Sequence, residues 1–478
     1  MATQDTPGTT STTSTTDLSP EALDRALAPL AAALGDRLLT PASDGFADAA
    51  AVFMGGAERT PAAVARVRDA DEVATALAVA HDAGLPVAVR AGGHNLARHS
   101  LLDGGLVLDL RLMDGVEIDR DAGVGRAQGG VLAGDYIVAA GEHGLATGFG
   151  DTGGVGLTGL ALGGGIGYLS RAHGLTVDNV LGAEVVLADG RVVRADADEN
   201  PDLYWALRGG GGNFGVVTEI ELRLRELPVV TGGMFVWPAE PATLAGVLTA
   251  LAEAPAELSG MVNVLVAPPL PMLPAEAHGK PIVMALVCFA GPADQAEAVY
   301  APLRALAPVH DSVGEIAYPE MFAGVGGPEG GMPGDARTGF LGDGAWAPDE
   351  AWATAAVGAV LGAPPGVAAV NLRPMGGAIA DADPADTAFA HRDAAWMVTV
   401  QGMTPELDGL AGLREWITST ADTLGVGGRG YVNFMSTATE EDVRNAYPEA
   451  TLARLREVKR AYDPGNLFAS NHNVTPQV

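Results

Sequence analysis

Between Thr152 and Ser170 the chain reads "TGGVGLTGLALGGGIGYLS", a run with eight glycines and no charged side chain. Its length approaches the ~20 apolar residues that a membrane span needs. Glycine at this density makes a poor helix, however, so no span is expected here, and Pro364-Pro365 argues the same for 351–372. What such a tract does permit is tight backbone with its amides uncovered, close to other backbone or to a ligand. Two stretches match G-x-G-x-x-G, Gly154 to Gly159 and Gly210 to Gly215. That fingerprint binds a dinucleotide only between a strand and a helix, whose first amides face the pyrophosphate. The second match leads into "VVTEIELRL", a strand pattern, and the first runs into further glycines. A Rossmann reading therefore fails on context.

Other chemistries lack an anchor. No G-x-x-x-x-G-K-[ST], H-E-x-x-H or G-x-S-x-G occurs, and the nine histidines show no metal-ligand spacing, so no metal site is expected. The single cysteine, Cys288, excludes an intrachain disulfide and cysteine-rich metal sites. With 28 basic against 59 acidic residues the net charge is −31, which repels nucleic acid and anionic lipid. In "VAVRAGGHN", Arg90, two glycines and His94 follow a strand pattern. With the 152–170 tract they supply bare amides that can cradle a pyrophosphate without lysine. On residues alone the reading stops at a dinucleotide or flavin binder.

At roughly 150 residues per domain, 478 residues predict two to four domains. Residues 1–18 are polar, with neither a basic start nor an apolar core. They read as a disordered tail and not a secretory signal, so a cytoplasmic location is expected. Ser19-Pro20-Glu21 signals a helix start, Asp69 and Glu72 a capping box, and Asp189-Gly190 a hairpin turn. The character changes near residue 226, where proline-rich segments begin to alternate with strands and helices. Ala323 to Asp335 reads as a mobile loop, and "EEDVRNAYPEATLARLREVKRAY" as one helix stopped by "DPGN". No fixed period supports a solenoid or propeller.

Five ordered motifs, "LPVAVRAGGHN", "TGLALGGGIGYLSRAHGLTVDN", "NPDLYWALRGGGGNFGVVTEIELRL", "YVNF" and "LREVKRAYDPGNLFASNHNV", extend this reading. Together they resemble the berberine bridge enzyme-like flavoprotein oxidases of the vanillyl-alcohol oxidase, or PCMH-type FAD-binding, fold. The resemblance runs from about residue 35 to the C-terminus. It implies an α+β architecture with an FAD-binding domain of two α/β subdomains over 19–225. A substrate-binding antiparallel sheet covered by helices is implied over 226–428, and a return to the FAD domain over 429–478. The implied cofactor is FAD, contacted by Arg90, Ala91, Gly92, Gly93, His94, Asn95, Ser100, Thr152, Gly153, Val155, Gly156, Gly159, Gly164, Gly165, Asn213, Val217, Tyr431, Asn433 and Asn473.

Individual roles follow from the same resemblance. His94 falls on the histidine that bonds the flavin 8α-methyl carbon, for which a neutral imidazole is a competent nucleophile; the bland reading is packing on the flavin edge. Thr152 stands where bicovalent members carry cysteine, and Cys288 lies elsewhere, so a single link is implied. Val155 falls beside flavin C4a, where a small side chain admits dioxygen, unless it serves only as core. Tyr431 matches the tyrosine that acts as general base in sugar-oxidising members. That role requires a lowered pKa, because free tyrosine titrates near pH ~10; shaping the pocket or bonding the flavin is the alternative. Asn433 and Asn473 would touch the isoalloxazine or its edge. In "HRDAAW", His391 and Arg392 read as structural, and Trp396 as facing either pocket or core. The implied activity is transfer of a hydride from a hydroxyl-bearing carbon of a small molecule (sugar, alcohol or natural-product intermediate) to flavin N5, with dioxygen reduced to hydrogen peroxide. Amine oxidation, oxidative ring closure and a non-catalytic flavin carrier are the alternatives, and neither nucleic acid nor membrane is an expected partner.

Overall fold

The computed structural model describes residues 18–55, 59–269, 273, 275–323, 331–344 and 346–476. The expected tail up to residue 17, and 324–330 of the expected loop, lie outside them. The described end of that loop is not loose: Gly55 N–H donates to Met332 O at 3.0 Å, and a strand begins at Gly334.

Local signals set the first layer. Ser19 Oγ accepts the Ala22 N–H and starts helix Pro20–Leu34, whose Leu27, Leu30 and Leu34 are buried. Asp69 caps helix Ala70–Ala83 by accepting the Glu72 N–H at 2.9 Å. The capping box does not form, because the Glu72 carboxylate is taken by both Nη atoms of Arg37 at 2.6 Å and by the Arg68 N–H. A bidentate charge-assisted pair is the stronger claim on that group. These helices share a core with a four-stranded sheet of β1 (Leu38–Leu39), β2 (Ala63–Arg66), β3 (Val87–Arg90) and β4 (Leu106–Asp109). The order is β1-β2-β4-β3, with β2, β4 and β3 parallel.

A second, antiparallel sheet follows. Its strands are β5 (Val116–Asp119), β6 (Val124–Gln128) and, beyond the two-residue β7 (Leu145–Ala146), β8 (Val180–Val186), β9 (Val192–Asp196) and β10 (Val216–Arg223), in the order β5-β6-β10-β8-β9. Asp189-Gly190 turns β8 into β9, with Gly190 at φ +81°. Short β11 (Arg225–Glu226) pairs back onto β7. The C-terminal segment packs here: Val432, Leu452, Leu455 and Val458 share a core with Tyr136, Phe149 and Leu203. Fully buried Lys459 pins that segment by donating to Asp463 Oδ2, Asn213 O and Phe468 O. The expected single helix is two, Glu440–Ala446 and Glu449–Tyr462. Pro448 has no N–H and holds Tyr447 in extended backbone, so the first helix cannot continue.

Between these parts lies an eight-stranded antiparallel sheet. It comprises β12 (Val229–Pro238), β13 (Leu258–Val266), β14 (Pro281–Phe289), β15 (His310–Asp311), β16 (Gly314–Ala317), β17 (Gly334–Leu341), β18 (Val367–Pro374) and β19 (Trp396–Met403). The order is β15-β12-β14-β13-β18-β19-β17, with β16 also on β12. Side chains alternate between its faces. Val262, Val264, Val370, Leu372, Val398 and Val400 pack on helices Pro241–Ala252, Glu350–Leu361 and Leu410–Leu424. Burying each is worth roughly 1.5–3 kcal/mol, and a one-residue slip would expose them all, so this face sets the register. Trp396 belongs to this core. The opposite face looks onto the glycine tract. No helix among the described residues is long and apolar enough to cross a membrane.

Candidate active site

The glycine tract, the 91–95 turn, the 210–217 segment, the C-terminal segment and the inner face of the eight-stranded sheet enclose one cavity of about 800 Å³. Its walls include Ala91, Gly92, Gly93, His94, Asn95, Ser100, Thr152, Val155, Gly156, Gly159, Gly165, Asn213, Val217, Tyr431 and Asn433. Thus fifteen of the nineteen sequence-identified residues meet at one place.

The other four do not line it. Arg90 turns away beneath the glycine turn, where its guanidinium donates to Ala49 O. Burial and neighbouring Arg111 lower its pKa to about 10, against the opposing pull of Asp109. It therefore puts a buried positive charge under the turn and makes no lining contact. Gly153 packs on Gly134, and Gly164 on Phe389 and Tyr431. Asn473 is off the lining, with its Oδ1 buried and unpartnered among the described residues. Asn213 does reach the wall, but its amide is spent on Gly210 O, His472 O and the Val474 N–H, so it staples the C-terminal segment in place.

The two glycine loops need their glycines. A Cβ on Gly92 would sit 2.3 Å from Gly156 N, and one on Gly156 2.4 Å from Gly92 N, so the loops touch only because both are bare. His94 emerges beside this contact, with its ring stacked on Phe53 at 4.4 Å between centroids. Burial holds the His94 imidazole below its ordinary pKa, and therefore neutral near pH 7.

Tyr431 is 2% exposed, and its Oη receives two donors, the Gly165 N–H at 2.8 Å and Asn433 Nδ2 at 3.0 Å. The second Asn433 amide hydrogen goes to Leu160 O at 2.9 Å, which sets the amide's orientation. Gly163 leaves room for that amide, since a Cβ there would fall 2.0 Å from Asn433 Oδ1. Both donors favour a phenolate, yet burial outweighs them and pushes the Tyr431 phenol up to about 12. The lowered pKa expected of a general base is not found. The two bonds to a charged oxygen are not enough to offset removing that charge from water.

Sequence reasoning missed the far wall. Asp151 pairs with Arg373 across 2.6 Å, joining the glycine tract to β18, and both are buried. Arg373 also donates to Asn371 Oδ1, and Asn371 Nδ2 donates to Asn263 Oδ1 at 2.6 Å. The Arg373 guanidinium lies 4.7 Å from the Phe434 ring, which stacks on Tyr431 at 5.7 Å. The available signal was polar residues at alternate positions in otherwise apolar strands, "MVNV" and "VNLRP". His391 and Arg392 sit outside this wall, Arg392 in an ion pair with Asp178 and His391 against Asn445 O.

The residues fit FAD. Three lining atoms, His99 Nε2, Thr158 Oγ1 and Asn471 Oδ1, are buried with no partner among the described residues, which calls for a ligand carrying both donors and acceptors. Cβ atoms placed on lining residues Gly159, Gly211 and Gly212 would meet nothing within 4 Å, so backbone there lies open to a bound group. The volume is in the range of cofactor sites.

Two family profiles match, one described as FAD binding domain over residues 61–196 and one as berberine and berberine like over 430–475. (R)-6-hydroxynicotine oxidase of Paenarthrobacter nicotinovorans is 35% identical over 456 residues, covering 92% of this chain and 96% of the relative. The crystal structure of 6-hydroxy-D-nicotine oxidase from Arthrobacter nicotinovorans superposes with a TM-score of 0.83 at 34% identity, over 92% and 98% of the two chains. Glucooligosaccharide oxidase from Acremonium strictum, which carries a 6-S-cysteinyl, 8α-N1-histidyl FAD, superposes with a TM-score of 0.81 at 25% identity, over 95% and 99%. Identity at this level, carried along nearly the whole of both chains, means that this chain belongs to the berberine bridge enzyme-like FAD-linked oxidoreductases.

Proposed function

We propose that the cavity oxidises a carbon bearing a hydroxyl group, with Tyr431 receiving the hydroxyl proton, and that His94 carries the FAD as a single 8α-histidyl link. FAD, when bound, supplies the two-electron acceptor for the hydride and hands the electrons to dioxygen. The observation that carries the reading is the convergence of the Gly165 N–H and Asn433 Nδ2 on Tyr431 Oη in the cavity that also holds His94. Two fixed donors stabilise negative charge on that oxygen and aim its remaining lone pair, so a substrate hydroxyl can give up its proton there. Neutral His94 has a free ring nitrogen for bond formation. Thr152, whose hydroxyl donates to Asp151, supports one link and not two. Val155 lines the cavity as a small apolar side chain, which supports a passage for dioxygen.

A second reading rests on the raised Tyr431 pKa. A phenol still protonated at neutral pH donates a hydrogen bond, which suits the lone pair of an amine better than the proton of an alcohol. The nicotine-oxidising relative carries the name of an amine substrate. Anaerobic mixing of the yellow protein with alcohol and amine panels, followed by admission of oxygen, tests both. A substrate that bleaches the flavin, with one peroxide released per turnover, supports an oxidase. Bleaching by amines alone moves the assignment to the second reading, and reoxidation without peroxide removes the oxidase.

A further inference from the structure

The inner face of the eight-stranded sheet carries a polar row whose direction is determined end to end. Asn263 and Asn371 lie directly opposite each other on β13 and β18. A guanidinium can only donate, so the Asn371 atom facing Arg373 is its carbonyl oxygen. That choice turns Asn371 Nδ2 toward Asn263 and makes Asn263 present its own Oδ1 in return. Asn263 Nδ2 is thereby left as the free end. Among the described residues it makes no hydrogen bond, and Asn263 lines the cavity. The other end is anchored on Asp151, which neutralises the Arg373 charge. The row thus offers the cavity a fixed neutral donor and no unpaired cation.

The surroundings of this donor are rich in methionine, with Ser312 and Gln401 as polar side chains of the same cavity and Met261 held by Arg373 Nη2 at 3.2 Å. Met234, Met261 and Met284 come from the neighbouring strands and Met321 from the segment after β16. Methionine adapts to irregular shapes and makes favourable contacts with aromatic rings. A sugar would bring many hydroxyls to such a wall. Each one buried there without a partner is costly. A single hydrogen-bond acceptor on an otherwise apolar molecule matches both features. The row also reaches Tyr431 through Arg373 and Phe434, and Asn263 and Tyr431 line the same cavity.

We propose that Asn263, held through Asn371, Arg373 and Asp151, is the substrate-orienting donor of the cavity and selects apolar, ring-bearing molecules with one neutral oxygen or nitrogen acceptor over oligosaccharides and anions. This rests on the oxidase reading of the same cavity. The test is titration of the flavin-loaded protein with four probes, following the flavin visible spectrum and the melting temperature. 2-Pyridone supplies the neutral acceptor on a ring, benzoate an anion, benzylamine a cation and cellobiose a sugar. The expected result is saturable binding of 2-pyridone at least tenfold tighter than of the other three. Asn263→Leu should weaken 2-pyridone about tenfold, as expected when a buried acceptor loses its donor. Asn263→Asp, of similar size, should lose 2-pyridone and gain benzylamine, because a carboxylate replaces the donor with an acceptor. Melting temperatures and retained flavin identify a variant that has merely failed to fold. For such a variant, Arg373→Met, which frees the row from its anchor, must show the same loss of 2-pyridone. Tighter binding of cellobiose or benzoate, or equal 2-pyridone affinity in folded Asn263 variants, overturns the proposal. The oxidase reading is judged separately, by photoreducing the flavin without substrate and measuring peroxide on reoxidation.

Discussion

Replacing Asn433 by leucine changes the proposed proton acceptor without touching it. Leucine keeps nearly the same volume and deletes both amide donors, one to Tyr431 Oη at 3.0 Å and one to Leu160 O at 2.9 Å. A hydrogen bond to a charged oxygen is worth roughly 1.5–3 kcal/mol, which is about one to two pKa units. With the wild-type phenol already pushed up to about 12, the phenolate becomes rarer still at every accessible pH. If Tyr431 must be deprotonated to receive the hydroxyl proton, log rate should climb with unit slope from about pH 7 to pH 10 with no plateau. Asn433→Leu should lower that line by roughly 10–100-fold at constant slope. Tyr431→Phe should flatten it. The assay is anaerobic stopped-flow reduction of the flavin by an alcohol or an amine that bleaches it, across that pH range. Melting curves check that the unpartnered Leu160 carbonyl has not unfolded the protein. A wild-type profile independent of pH would refute the argument. So would a limb that plateaus at the pKa of an amine substrate and survives in Tyr431→Phe, because the titrating proton would then be the substrate's.

Three further outcomes are expected. His94→Ala should release flavin into the supernatant on acid precipitation, whereas the wild-type polypeptide should keep it and gain the mass of one FAD; free flavin from wild type defeats the link. Val155→Leu should slow reoxidation by dioxygen more than flavin reduction in stopped flow, and equal slowing of both would make Val155 a packing residue only. Stability should fall on both sides of neutrality. Burial lowers the pKa values of His94, His99, His173, His391 and His472, so the unfolded chain binds more protons below about pH 6.5 and stability drops as pH falls through that value. Burial raises the phenols of Tyr136, Tyr168, Tyr318, Tyr431 and Tyr447, so the unfolded chain loses protons first above about pH 10, and stability drops as pH rises past it. Urea midpoints that stay flat from pH 5 to 11 would contradict both halves.

Much of the site was legible along the chain because it is made of local features. The Ser19 cap and the Asp189-Gly190 turn depend on neighbours a few residues away, and short-range sterics leave few alternatives for such sequences, whereas the loops at Gly92 and Gly156 were legible only as bare backbone and not as touching each other. "YVNF" likewise placed Tyr431 and Asn433 close enough to bond each other. Even there a rival partner could intervene, as Arg37 did when it drew Glu72 out of its capping box. What only the tertiary structure decided is what lies far apart in sequence. Whether Asn263, Asn371 and Arg373 face a cavity or a helix layer depends on which face of the sheet the helices cover, and alternation alone is symmetric between the two faces. The Asp151–Arg373 pair spans 222 residues, and the donor that it leaves on Asn263 exists only once β13 and β18 are in register. The raised pKa of Tyr431 likewise depends on the tertiary structure. Its two donors argue for a phenolate, but how much water burial removes from that oxygen is a sum over every layer packed around it, and that sum prevailed.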